Sequence, residues 1–289
     1  MVDLHAHTTA SDGSLTPAQL VALAREKNLQ AVGITDHDTI AGWDEAFAAG
    51  KELGIEIVPG VELSTSYEGG RFHLLGYLFD RESELTQVLE EILRERGNRN
   101  AIIFENLARL SVPLEETEVR AFAGRDDGEL GRPHFARAMV ARGYVETTQE
   151  AFDKYLADGA PGYAPKKVLT PEEAIALIHQ AGGVAIWAHP PMRKKVSYDE
   201  LEERLHEWIG WGLDGLEIFY FDYTPEDAAW TAAMREKYNL IGSGGSDFHG
   251  ASKPHIELGK TQTGQAVAAE VLEEIKARRA RNVAAISGQ

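Results

Sequence analysis

Ala31-Val32-Gly33-Ile34-Thr35-Asp36-His37-Asp38 runs from a short apolar, β-branched segment straight into a histidine bracketed by two aspartates. Such a run reads as a buried strand whose carboxyl end delivers a polar cluster. The pattern recurs along the chain. Asp3-Leu4-His5-Ala6-His7 lies in an extended run from Val2 to His7, and Ser246-Asp247-Phe248-His249 ends the run from Leu240 to Asp247. Glu62 follows Ile55 to Val61, His73 lies in Phe72 to Phe79, and His189 follows Val184 to Ala188. With Asp214 to Tyr220 these make seven predicted strands.

Helical patterns separate the strands, which is the signature of parallel βαβ units. Three helices open alike, at Thr16-Pro17-Ala18-Gln19, Thr170-Pro171-Glu172-Glu173 and Thr224-Pro225-Glu226-Asp227. Threonine serves as N-cap, proline takes the first helical position, and a polar side chain at the third turns back to the cap. Strand signals stop after Asp80: Glu82 to Leu110 reads as one long helix, followed by shorter helical stretches and the turn-rich Gly124 to Gly128. The βα pattern resumes at Thr170 and ends in a helix near Val267 to Ala280. The expected fold is therefore α/β, a seven-stranded barrel split into residues 1–80 and 166–289 around an inserted helical subdomain, 81–165. In a parallel barrel the carboxyl ends of the strands meet on one rim, where sites are built.

The 289 residues, 43% hydrophobic and 26% charged, suffice for a large core. Acidic residues outnumber basic ones 46 to 29, so counterion-release binding of long duplex DNA is not expected. An anionic substrate must then be held locally, by metal ions or a few placed cations. The absence of cysteine removes disulfides, zinc–thiolate sites and cysteine nucleophiles together. The opening Met1 to His5 carries no basic, apolar leader and no membrane-spanning stretch is present, so a cytoplasmic enzyme is expected.

His5 and His7 are two apart on an extended segment, so both imidazoles face one side and can serve one ion. Asp247 and His249 repeat the spacing. Taken singly, His73 and His189 read more readily as hydrogen-bonded structural residues than as ligands. Asp12, in Ser11-Asp12-Gly13-Ser14, reads as a ligand or as plain turn chemistry. Asp3, Asp36 and Asp38 read as ligands or as groups orienting the imidazoles. Gly242-Ser243-Gly244-Gly245-Ser246 lacks the lysine of a phosphate-binding loop, and neither a serine elbow nor a kinase set is present. Thiol-free clusters of histidine and carboxylate at strand ends point to a multinuclear centre for metal-assisted hydrolysis.

Four motifs in this order, His5-Ala6-His7, Thr35-Asp36-His37-Asp38, Ala188-His189-Pro190 and Ser246-Asp247-Phe248-His249, resemble the polymerase and histidinol phosphatase (PHP) domain phosphoesterases. The resemblance implies a distorted (β/α)7 barrel with two or three divalent metals at its rim. It implies that His5, His7, Glu62 and Asp247 hold one ion, that Glu62 bridges to a second held by His73 and His189, and that Asp12, His37 and His249 hold a third. Many relatives place a histidine where this chain has Asp12. The helical insertion resembles a narrower branch, the bacterial phosphatases of nucleoside 3',5'-bisphosphates and 5'-3' exonucleases of short oligonucleotides. In that branch the insertion carries a Gly-Arg-Pro-His motif facing the metals, found here as Gly131-Arg132-Pro133-His134. A guanidinium fork and an imidazole suit phosphate, although the same four residues also read as an ordinary helix start.

Arg132, His134, Lys166 and Arg193 are accordingly the expected substrate-binding residues, the two last in charge runs that also read as solvated surface. Glu62, His134, Asp247 and His249 are the expected catalytic set. The substrate expected is a small phosphorylated nucleotide such as adenosine 3',5'-bisphosphate, losing its 3'-phosphate, with short single-stranded oligoribonucleotides as further substrates. Manganese is the expected metal, Fe²⁺ and Zn²⁺ being compatible and Mg²⁺ less suited to so many imidazoles. The rivals are a phosphatase of histidinol phosphate or a sugar phosphate, an end-processing nuclease, and a non-catalytic nucleotide-sensing metal module. A substrate panel separates the first two, and binding without phosphate release would mark the third.

Overall fold

All seven predicted strands form, and they hydrogen-bond in chain order: β1 (Val2–Asp3), β2 (Ala31–Ile34), β3 (Glu56–Tyr67), β4 (Gly70–Tyr77), β5 (Val184–Ala188), β6 (Gly215–Tyr220) and β7 (Ile241–Gly245). The computed structural model describes residues 1–68, 70–123, 130–164, 168–191 and 196–287. The turn-rich Gly124 to Gly128 thus lies outside the described residues. Two compact units result, one of residues 1–88 and 168–289 and one of residues 89–167.

The expectation of a uniformly parallel sheet is corrected in the middle. β1, β2 and β3 pair in parallel, as do β5, β6 and β7, but β3 pairs antiparallel with β4 and β4 antiparallel with β5. The reason is connection length. Tyr67 pairs with Gly70, and a two-residue link cannot make the crossover that a parallel pair requires. β3 therefore runs on well past Val61, as far as Tyr67, as one arm of a hairpin.

β1 is also shorter than the predicted Val2 to His7, although beyond Asp3 the chain still hydrogen-bonds on both sides. Thr35 N–H donates to Ala6 O (3.0 Å), Leu4 N–H to Gly244 O (3.1 Å), Asp247 N–H to His5 O and His7 N–H to Phe248 O (both 2.9 Å). These bonds bring the first and last strands together and nearly close the sheet into a barrel. A Cβ at Gly33 would lie 2.3 Å from Leu4 O, so only glycine lets the first strand pass there. Inside, Val2, Leu4, Val58, Leu75, Val184 and Ile186 form the core. Buried Tyr77 donates to Leu4 O (2.9 Å) and shares a bond with Ser243 Oγ (3.1 Å), tying β4 to both ends of the sheet.

Around the sheet lie α1 (Pro17–Glu26), α2 (Trp43–Leu53), α7 (Pro171–Gln180), α8 (Tyr198–Gly210), α9 (Pro225–Lys237) and α10 (Ala269–Ser287). The three Thr-Pro starts form as predicted: Thr16, Thr170 and Thr224 each accept from the N–H three residues on, in complete capping boxes. The predicted long helix forms as α3 (Glu84–Arg109). With α4 (Glu116–Arg120), α5 (Arg132–Ala141) and α6 (Thr148–Ala151) it builds the second unit, whose own core includes Ile103, Leu107, Phe135, Met139 and Leu156. Replacing Tyr77→Phe should strand a buried acceptor, Leu4 O, and a buried donor, the Ser243 hydroxyl, and cost about 1–3 kcal/mol. A lower urea midpoint at unchanged slope is the expected result.

Candidate metal centre

The carboxyl ends of the strands place their polar residues around one carboxylate. Glu62 is held by a bridge to His37, with its N–H donating to Asp36 O (3.2 Å) and its carbonyl accepting from Asp38 N–H (3.0 Å). Its side chain, 1% exposed, is approached by five imidazoles. Oε2 lies 3.2 Å from His5 Nε2, 3.0 Å from His7 Nε2 and 3.3 Å from His37 Nδ1. Oε1 lies 2.8 Å from His73 Nδ1 and 3.0 Å from His189 Nε2. Asp247 Oδ1 completes the inner cluster at 3.1 Å from His7 Nε2 and 3.5 Å from His5 Nε2. At the outer edge the half-exposed Asp12 carboxylate meets His249 Nε2 (3.3 Å) and His7 Nδ1 (3.6 Å).

Among the described residues three overlapping groups have donor atoms within 4.8 Å of one another: His5, His7, Glu62 and Asp247; His37, Glu62 and His73; and His7, Asp12, His37 and His249. The first matches the set implied by the resemblance. The second has His37 where His189 was expected, and the third adds His7. His189 instead hydrogen-bonds Glu62 Oε1, the oxygen that His73 also approaches.

The donor chemistry fits divalent metal. His5 Nε2, both nitrogens of His7, His37 Nδ1, His73 Nδ1 and Glu62 Oε2 are buried without a hydrogen-bond partner. So many orphaned polar atoms in one place would be costly in a finished interior. Ligands about 2.1 Å from a shared ion stand roughly 3.0–3.4 Å apart, close to the separations in the first group.

The PHP domain profile matches residues 3–158. A 5'-3' exoribonuclease of Haemophilus influenzae is 38% identical over 259 residues, 89% of this chain and 93% of that one. A 3',5'-nucleoside bisphosphate phosphatase of Chromobacterium violaceum is 30% identical over 287 residues, 96% of this chain and 97% of that one. A solved structure from Bifidobacterium adolescentis, assigned as a metal-dependent phosphoesterase, superposes with a TM-score of 0.80 at 34% identity, covering 96% of both chains. The chain belongs to the PHP domain family. It is a metal-dependent phosphoesterase, a hydrolase of phosphoric ester bonds.

The fields inside this PHP domain follow from its geometry. Burial opposes charge on Glu62 and Asp247, but the surrounding imidazoles outweigh it and hold both carboxyls well below the ordinary range. Burial likewise opposes charge on His5, yet Glu217, Glu62 and Asp247 raise it well above the usual imidazole value. His7 is raised to about 10 by Asp247 and Glu62 against its burial, whereas burial prevails at His37 and lowers it to about 4. The negative potential that would hold protons on His5 and His7 is the potential that a divalent cation would neutralise.

Asp3, Asp36 and Asp38 stand outside the three groups and hold backbone. Asp3 accepts from the N–H groups of His5, Ser246 and Gly259, Asp36 from Thr8 N–H, Thr8 Oγ1 and Ser11 Oγ, and Asp38 from Ser64 N–H and Oγ. Three residues at the site adopt left-handed backbone, Asp38 (φ 54°), His189 (φ 34°) and Asp247 (φ 55°). Such conformations cost on the order of 1–3 kcal/mol each and persist where the surroundings over-determine them.

Arg132 and His134 lie in the second unit at the start of α5. Arg132 NH1 donates to Leu156 O (3.0 Å) and Asp158 Oδ1 (2.6 Å), and its guanidinium lies 5.3 Å from the Tyr163 ring centre. His134 Nδ1 accepts from Gly131 N–H at 3.0 Å. Lys166 and Arg193 lie outside the described residues. Sequence reasoning missed Tyr220 and Lys253, which donate to Asp247 Oδ2 at 3.0 and 2.8 Å, and it missed Glu217, whose Oε1 lies 2.9 Å from His5 Nδ1. The available signal for Glu217 was an acid in the middle of an apolar strand.

His7 makes a signed prediction for the metal-free protein. Its folded pKa is raised, so its stabilisation is fully present below the ordinary value of 6.5 and is lost as pH rises towards about 10. Its share of the alkaline slope is up to about 1.4 kcal/mol per pH unit. Urea midpoints in chelator from pH 6.5 to 10 should fall more gently in His7→Gln than in the parent, and equal slopes would contradict this assignment.

Proposed function

We propose that this PHP domain removes the 3'-phosphate from nucleoside 3',5'-bisphosphates and also degrades short single-stranded oligoribonucleotides. The observation that carries the reading is the set of three overlapping donor groups around Glu62, a multinuclear layout suited to a phosphoryl group and an attacking water. Relatives bearing both activities, matched along almost their whole length, support the choice of substrate. The net charge of −17 disfavours a long duplex as substrate. We assign two or three divalent ions to the site, Mn²⁺ first, because the donors are nitrogen and oxygen without thiolate. The enzyme is assigned to cytoplasmic nucleotide metabolism; among the described residues no helix is long and apolar enough to cross a membrane.

When bound, such ions supply Lewis acidity to the phosphoryl oxygens and make water acidic enough to attack near neutral pH. The chain's residues do the rest. Glu62 and Asp247 hold the imidazoles about a common centre, and His249 is oriented by donating Nδ1–H to Asp247 O (2.7 Å), which leaves the Nε2 lone pair towards Asp12. His134 is fixed in the complementary form. Because Nδ1 accepts from Gly131, the neutral ring carries its hydrogen on Nε2, where it can donate a hydrogen bond to a substrate oxygen. Asp158 and Leu156 O hold the Arg132 fork in a set orientation for a substrate phosphate.

Phosphate release from metal-loaded protein should favour adenosine 3',5'-bisphosphate over histidinol phosphate and sugar phosphates by at least about tenfold in kcat/KM, and should vanish on chelation and return with Mn²⁺. Preference for a non-nucleotide ester would overturn the substrate assignment. His134→Ala should lower kcat by roughly 10²–10³, as for the loss of one placed hydrogen-bond donor. Arg132→Ala should raise KM more than it lowers kcat, as expected for contact with the non-reacting phosphate.

A further inference from the structure

We infer that Glu217 is a positioning residue that sets two imidazoles of the site at once, fixing the ring form of His5 and the strained backbone of His189. Glu217 lies on β6 with no exposed surface. The irregularity between Glu217 and Phe219 in the β6–β7 ladder is the kind of bulge that re-aims a side chain. Oε1 lies 2.9 Å from His5 Nδ1, and Oε2 accepts the backbone N–H of His189 at 3.0 Å.

Each bond has a separate consequence. A carboxylate can only accept, so His5 keeps hydrogen on Nδ1 and leaves Nε2, which faces Glu62 Oε2 (3.2 Å) and Asp247 Oδ1 (3.5 Å), as its one nitrogen available to a metal. At His189 the accepted N–H belongs to a residue at φ 34°, so Glu217 satisfies the backbone in the conformation that delivers its Nε2 to Glu62 Oε1. One buried side chain thus joins a donor of the first group to the imidazole beside the second. The inference rests on reading the cluster as a metal centre.

Glu217→Gln keeps the size but replaces one acceptor by a donor. If the amide nitrogen faces His5, the ring is left with hydrogen on Nε2 and cannot ligate. If it faces His189, two donors oppose each other. Either way the variant should fold, with a melting temperature in chelator within a few degrees of the parent, and should bind Mn²⁺ about 10–100-fold more weakly, losing about one equivalent after gel filtration. In His5→Gln the same change should weaken binding much less, because part of its effect passes through His5. Parental stoichiometry and affinity in Glu217→Gln would overturn the inference, whereas failure of the parent itself to bind divalent metal would overturn the metal-centre reading beneath it. A second measurement needs no Glu217 variant: Zn²⁺-loaded parent protein should show a slowly exchanging imidazole Nδ1–H resonance that disappears in His5→Gln. Its absence would equally refute the role.

Discussion

One buried carboxylate within 2.8–3.3 Å of five imidazoles is the constraint around which the barrel unit is organised. Glu62 alone could not hold that arrangement, since a single charge has too few lone pairs for five rings and buried orphan donors are costly. Divalent cations resolve the conflict by turning mutually unsatisfied nitrogens and oxygens into shared ligands. The chemistry of a phosphoesterase follows, because the positive charge that reconciles the donors is also what a phosphoryl oxygen seeks.

The rest of the unit keeps those donors in place. Closure of the sheet through Leu4 to His7 sets His5 and His7 beside Asp247, and buried Asp3 reinforces it by accepting from both ends of the chain. The antiparallel hairpin has a direct use: it pairs His73 with Ala188, which places that ring beside His189. Left-handed backbone at Asp38, His189 and Asp247 marks where the chain turns to present these groups. Each of those strained positions has a buried bond holding it, from Glu62 O to Asp38 N–H, from Glu217 to His189 N–H, and from His5 O to Asp247 N–H. Strain and support alternate around the rim.

The second unit fixes the orientation of its own polar side chains. Arg132 is tethered by Asp158 and Leu156 O, and His134 is tied to Gly131, so both side chains have little freedom left to lose.

The sequence by itself determined which residue types lie at the strand ends, where the capped helices begin, and that the donors are nitrogen and oxygen without sulfur. Those features are local: a Thr-Pro start or an apolar run ending in histidine carries its meaning within a few residues. Tertiary structure alone decided how the donors are shared, with His37 beside His73, His7 in two groups and Glu217 behind His5. It also decided the direction of β4, through a link too short for a crossover, and the close approach of Leu4 that Gly33 admits. Sharing depends on distances between strands far apart in the chain, and ångström differences in those distances are set by closure, bulges and strained turns that no spacing along the sequence records.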